Sequence, residues 1–85
     1  MKEFRYIIKD EIGLHARPAG KLSALAKEWK SEVIIEKGGK EVNASRLMML
    51  MSLGIKHGDE VKVRITGEDE DEAMESVKRF FEETL

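Results

Sequence analysis

A histidine, an arginine and a proline stand together in Gly13-Leu14-His15-Ala16-Arg17-Pro18-Ala19-Gly20, and these residue types at this spacing suit phosphoryl chemistry. A neutral imidazole has a nitrogen lone pair able to attack phosphorus. Arginine offers a planar, permanently charged fork that grips phosphate oxygens. The surrounding residues say where the chain places them. Proline is tolerated in the first turn of a helix, where its missing N–H has no intrahelical acceptor to lose. From Ala19 onward, Leu22, Leu25, Ala26 and Trp29 recur at spacings of three and four, the stripe of an amphipathic helix. The helix is therefore predicted to start near Ala16, with His15 roughly at its N-cap. The first N–H groups of a helix lack acceptors and carry the positive end of its dipole, so they favour an anion. Positive neighbours also disfavour protonation of an imidazole, which keeps its lone pair free. The residues thus suggest His15 as a phosphoacceptor and Arg17 as the group that stabilises the phosphate. The ordinary alternative is a solvated loop histidine without chemistry.

Composition narrows the other possibilities. Eighty-five residues support one domain, 1–85, with one modest core. Lys and Arg number 15 against 17 Asp and Glu, a net charge of −2, which gives no sign of a nucleic-acid partner. Cysteine is absent, so disulfides, thiol chemistry and cysteine-ligated metals are excluded. The two histidines, His15 and His57, lie far apart and show no metal-ligand spacing. No metal or cofactor is expected, and neither glycine cluster has the spacing of a P-loop. No run approaches the roughly 18 apolar residues of a membrane span. A cytoplasmic location without membrane insertion is the default expectation. His57, in a turn before Gly58, is expected to be solvated and without a role.

The elements that must position His15 follow from periodicity. Phe4, Tyr6 and Ile8 alternate with Arg5 and Lys9, which predicts a strand over 2–9 with one buried face. Asp10 to Gly13 then form the loop that delivers His15 to a helix running from Ala16 to about Lys27. Gly20 lies inside that helix, where glycine costs up to about 1 kcal/mol relative to alanine; close approach of another backbone or of a partner is one reason to keep it. Glu32 to Glu36, rich in β-branched residues, followed by Lys37-Gly38-Gly39-Lys40, predicts a hairpin returning over Lys40 to Asn43. A short helix over Ser45 to Leu53 ends at Gly54. Val61, Val63 and Ile65 alternate with Lys62 and Arg64 in a last strand. Gly67 breaks it, and Asp69 with Glu72 three residues later predicts a capping box opening the final helix. The buried stripe expected on that helix is Ala73, Val77 and Phe80, extended by Phe81 or Thr84.

The order βαββαβα predicts an α+β, open-faced β-sandwich: a four-stranded sheet with three helices on one face. Alternation in the strands supports a sheet covered on one side only, and a ferredoxin-like variant fits the same order. The second helix has a surplus of apolar residues, since all of 47–51 are apolar and a short helix buries one face. With Leu50 and Leu53 inward, Leu47, Met48 and Met51 form an exposed or half-exposed patch of the kind that binds partners; the alternative is a loosely built core in which the methionines fill gaps. Methionine is flexible enough to repack against several partners.

The motif Gly13-Leu14-His15-Ala16-Arg17-Pro18-Ala19 resembles the active-site signature of the HPr family, histidine-containing phosphocarriers of the bacterial sugar phosphotransferase system. Val42-Asn43-Ala44 and Leu50-Met51-Ser52-Leu53-Gly54-Ile55 resemble that family's second-helix region, and the likeness, including Gly67-Glu68-Asp69-Glu70, covers essentially the whole chain. The resemblance implies an antiparallel sheet and a monomeric carrier, not itself an enzyme. The carrier would accept phosphate at Nδ1 of His15 from enzyme I, charged by phosphoenolpyruvate, and pass it to sugar-specific enzyme II A domains. It also implies docking of both partners on the first two helices, with Ala16, Arg17, Gly20 and Lys27 beside Leu47, Met48 and Met51. Many relatives carry a regulatory serine where this chain has Arg46, leaving Ser45, one residue early, as a shifted candidate. Two other readings remain open. One is a paralogue with a regulatory role, in nitrogen-branch phosphotransfer or transcription-factor binding; the other is an interaction module with no covalent chemistry.

Overall fold

The computed structural model describes residues 1–85. Its elements are β1 (Lys2–Ile7), α1 (Ala16–Lys27), β2 (Glu32–Lys37), β3 (Lys40–Asn43), α2 (Leu47–Met51), β4 (Glu60–Thr66) and α3 (Glu70–Thr84). The strands form one antiparallel sheet in the order β1-β4-β2-β3. Alternation sets the register: Phe4 pairs with Val63 and Tyr6 with Val61, while Val33 and Ile35 face Ile65 and Val63 across β4. A slip of one residue would turn that whole apolar set to water. On the opposite face Lys62 lies 3.5 Å from Glu3, and Arg64 donates to both oxygens of Glu41 at 2.9 and 3.1 Å. That face is open to water, as the alternation requires.

The helices cover the other face. Ala19, Leu22 and Ala26 of α1, Leu50 of α2, and Ala73, Val77 and Phe81 of α3 are buried against Val33, Ile35, Val61, Val63 and Ile65 in one core. Phe81 is 1% exposed, and the rings of Phe4 and Tyr6 meet it edge-on at 5.6 and 5.5 Å. The predicted stripe on α3 needs correction here. Residues four apart drift only about 40° around a helix, so Ala73, Val77 and Phe81 share one face. Phe80 falls about 100° from Phe81 and about 20° from Ala73, on the other edge of that face, where it packs half-buried against the core while Phe81 is sealed in it.

Two further expectations change. The second helix spans Leu47–Met51 and does not begin at Ser45, because Oδ1 of Asn43 accepts from both the N–H and the hydroxyl of Ser45 at 2.9 and 2.7 Å. That local turn holds the chain out of helical geometry until Arg46, which becomes the N-cap. At α3, Asp69 is the N-cap but forms no capping bond. Its carboxylate accepts instead from the N–H groups of Lys30 and Ser31, both at 2.9 Å, and from the Ser31 hydroxyl. Gly67 (φ +152°) makes this crossing possible: a Cβ there would stand 2.6 Å from Ser31 Cα. Asp69 thus ties the α1–β2 connection to the β4–α3 turn.

The Ser31 hydroxyl, followed by the N–H of Lys30, holds the Asp69 carboxyl below the usual carboxylate range. A group with a depressed folded pKa contributes stability that is full above its unfolded value, near pH 4, and is lost as pH falls through the folded value. Asp69→Asn is expected to lower the urea midpoint at neutral pH, and its gap from wild type should narrow as the pH falls below about 4. Urea titrations across that range check this; a gap independent of pH would rule out a role for the carboxylate charge.

Candidate functional site

The loop that carries His15 is suspended from several sides. Its first residue, Ile8, donates to the Asp59 carbonyl at 2.9 Å and accepts from the Gly58 N–H at 2.8 Å. The N–H groups of Lys9 and Asp10 both donate to the main-chain oxygen of Leu85, just past the end of α3. Oδ2 of Asp10 then folds the loop back by accepting from Ile12 and Gly13 at 3.0 and 3.1 Å. Gly13 has φ +85°, and a Cβ there would sit 2.6 Å from the Ile55 carbonyl oxygen, so the position admits only glycine. The next N–H, of Leu14, donates to that same oxygen at 3.0 Å.

His15 follows in extended conformation (φ −90°, ψ −176°) as the N-cap of α1, half-buried and without a side-chain capping bond. The first helical bond runs from the Ala19 N–H to the His15 carbonyl at 2.9 Å. Ahead of it, the N–H groups of Ala16 and Arg17 have no acceptor in the chain, and Pro18 has no N–H to offer. Two free amides therefore stand beside the imidazole at the positive end of the helix. An open cleft of about 170 Å³ at this end is lined by Asp10, His15, Arg17, Pro18, Lys21 and Thr84. An imidazole nitrogen, two backbone donors and a guanidinium around one hollow can receive a tetrahedral anion and hold it next to a nucleophile.

The other expected site residues divide between two places. At about 100° per residue, Ala16, Gly20 and Lys27 fall within one narrow stripe of α1, beside its buried face of Pro18, Ala19, Leu22, Ser23 and Ala26. A Cβ on Gly20 would meet nothing within 4 Å, so no other part of this chain requires the glycine. Lys27 lies at the far end of α1, in a second cleft shared with Trp29 and Ser45, and is not part of the His15 hollow. On α2, which packs against α1, Leu50 and the following Leu53 are buried, whereas Leu47, Met48 and Met51 are exposed, Met48 by 78%. Met49 is exposed as well and widens the patch. Helical spacing alone would set Met49 about 40° from Leu53 and so toward the core, but α2 ends at Met51, before Leu53.

Sequence reasoning also passed over Asp10, Thr84 and Lys21 in the cleft, although Lys21 follows Arg17 by one helical turn. His57 is exposed, as expected, yet it touches the loop: Nδ1 lies 3.2 Å from the Lys9 carbonyl and 3.3 Å from that of Asp10. Two carbonyl partners require this nitrogen to carry the proton. Ser45 is half-buried with its hydroxyl engaged by Asn43, and Arg46 is exposed.

Comparison with known proteins shows the family and the fold. Residues 2–83 match the family model described as the PTS HPr component phosphorylation site. The phosphocarrier protein HPr of Mycoplasma genitalium is 42% identical over 83 residues, covering 96% of this chain and 94% of that protein. The HPr-like protein Crh of Halalkalibacterium halodurans is 44% identical over 82 residues, covering 96% and 98%. A crystal structure of HPr from Thermoanaerobacter tengcongensis superposes with a TM-score of 0.91 at 41% identity, over 96% of this chain and 92% of that one. An HPr dimer from the same organism gives a TM-score of 0.77, covering 98% and 95%. No helix is long and apolar enough to cross a membrane. With a family model spanning nearly every residue, and relatives above 40% identity over almost their full length, the chain belongs to the HPr family of phosphocarrier proteins of the phosphotransferase system.

Proposed function

We propose that His15 is the residue that carries the phosphoryl group, receiving it from enzyme I charged by phosphoenolpyruvate and surrendering it to sugar-specific enzyme II A domains. The observation that carries this reading is the pair of acceptor-free amides, Ala16 and Arg17, flanking a half-buried imidazole at the start of α1. In each transfer one P–N bond breaks as another forms, and the departing imidazole remains on its own protein. Beyond the attacking nitrogen, the chain contributes position and charge. The free amides and the Arg17 guanidinium meet the negative oxygens, while the nitrogen, assigned as Nδ1 by family resemblance, attacks.

A carrier must expose the same residues to donor and acceptor in turn, so its docking surface has to adapt. The Ala16–Gly20–Lys27 stripe and the exposed Leu47, Met48, Met49 and Met51 suit that requirement, since thioether chains repack at small cost. In this reading the protein works in the cytoplasm as a monomer, with the patch free for partners. A regulatory paralogue is the second reading, on the strength of the identity to Crh. The acceptor domain that discharges the phosphorylated form separates the two. Control at Ser45 is disfavoured by a hydroxyl that is half-buried and donates to Asn43 at 2.7 Å, and Arg46 occupies the family's serine position.

Incubation with phosphoenolpyruvate and a catalytic amount of enzyme I is expected to give an acid-labile, alkali-stable label on the wild type and none on His15→Ala. Retention of the label in that variant would falsify the assignment. The docking surface has its own test at Gly20. Gly20→Ala is expected to stabilise the fold by about 0.5–1 kcal/mol, as the helix gains propensity without a clash. Gly20→Gln, whose Cβ also enters open space, should raise the apparent KM for enzyme I about tenfold, equivalent to about 1.4 kcal/mol. Its reaction with phosphoramidate, which needs no docking, should be unchanged. Wild-type KM in the Gln variant would remove this stripe from the docking surface.

A further inference from the structure

The His15 cleft holds one more cation than the reading above uses. Lys21 stands one turn beyond Arg17 and lines the same hollow. At about 100° per residue, Arg17 and Lys21 lie within 40° of each other and about 100° from the Ala16–Gly20 stripe, so they form a separate face of α1. Helical side chains lean toward the N-terminus, and a long one covers the turn before its own Cα. For Lys21 that direction runs back toward the helix mouth, where the free amides are, which fits its place in the lining of the hollow. Neither Arg17 nor Lys21 is in an ion pair; seven other cations, Lys9, Lys27, Lys40, Arg46, Lys56, Lys78 and Arg79, are unpaired as well, but only Arg17 and Lys21 line this hollow. The one acid lining the cleft, Asp10, already spends its Oδ2 on the Ile12 and Gly13 N–H groups. In a chain of net charge −2, this hollow has two cations to one carboxylate, in addition to the helix end.

We propose that Lys21 is a second cation of the phosphoryl site, meeting the charge of the phosphoryl group on His15 and raising the fraction of the protein that is phosphorylated at equilibrium. The inference rests on His15 as the acceptor, and adds to it a residue whose charge sets how willingly the phosphoryl group stays. An ammonium on a four-carbon stem is a mobile point charge, unlike the rigid guanidinium fork. It can offset negative charge without fixing the oxygens in one geometry, which leaves the group free to depart.

The test compares wild type, Lys21→Met and Lys21→Arg. With phosphoenolpyruvate, pyruvate and a trace of enzyme I, the phosphorylated fraction is read by intact-protein mass spectrometry once it has stopped changing. A catalyst does not move an endpoint, so impaired docking slows the approach and leaves the ratio alone. Lys21→Met is expected to lower the equilibrium constant about two- to fivefold, the range for a solvent-exposed charge pair. Lys21→Arg should restore it, and the gap should close near 1 M salt, where the screening length is about 3 Å. A second measurement uses the unphosphorylated protein: inorganic phosphate is titrated while the amide resonances of Ala16 and Arg17 are followed, and Lys21→Met should weaken binding by a similar factor. Wild-type values for Lys21→Met in both experiments would overturn the proposal while leaving His15 as acceptor. If the wild type takes no label but phosphate binding still falls in Lys21→Met, the acceptor reading fails and the anion site with Lys21 stands.

Discussion

A phosphoryl group brings negative charge onto a neutral ring, and a protein can hold it there only where donors are already waiting without partners of their own. Such donors are rare, because a chain that folds in water usually pairs its backbone. The start of α1 is the exception that helical geometry guarantees. The first intrahelical bond goes from Ala19 to the carbonyl of His15, Pro18 has no proton to give, and the N–H groups of Ala16 and Arg17 are left over. Their usefulness depends on the helix beginning at His15 and nowhere else. That is fixed from outside the helix: Gly13 is pressed against Ile55 and Lys56, Leu14 is bonded to Ile55, and Lys9 and Asp10 hang from Leu85. The turn before β4 and the end of α3, far away in sequence, thus decide which amides stay free.

Around its circumference α1 performs three tasks without conflict. Its apolar face, Pro18, Ala19, Leu22 and Ala26, is sealed against the sheet. Next to it runs a stripe of small residues and one lysine, with open space over Gly20. Beyond that lie Arg17 and Lys21, turned to the hollow. The burial of the first face makes the other two rigid relative to each other. On the proposed reading, a partner seated over Gly20 would therefore meet the imidazole from a fixed direction, the orientation a direct transfer between proteins needs.

Much of this was legible in the sequence, because local rules and the final structure agree over most of the chain. Pro18 and the stripe that follows gave the helix start within one residue, and strand alternation gave the sheet with its open face. The failures share a cause: each involves a side chain used across the fold instead of within its own element. Asp69 looked like a capping residue, but its carboxylate is engaged by Lys30 and Ser31, some 38 residues away. Ser45 looked helical, yet Asn43 claims it for a turn. Phe81 replaced Phe80 in the core because it is the ring that faces Phe4 and Tyr6 of β1. The contact of His57 with the Lys9 and Asp10 carbonyls had no sequence signal at all, since nothing in a single chain announces which turn packs behind which loop.

Holding and releasing make opposite demands, and the structure separates them by chemical type. What must not move is built from backbone: the amides of Ala16 and Arg17, and the loop bonded to Ile55 and Leu85. On the proposed reading, what must adapt is built from long, unbranched side chains, the methionines of α2 outward and the Lys21 stem at the cleft. A site made wholly of fixed donors would bind the phosphoryl group in one geometry, and departure would have to break every contact at once. With part of the charge supplied by a flexible ammonium, that contact can yield gradually as the group moves toward its next nitrogen. If His15 is the acceptor, the amides give it its place, and the softness of the remaining contacts keeps that place from becoming a trap.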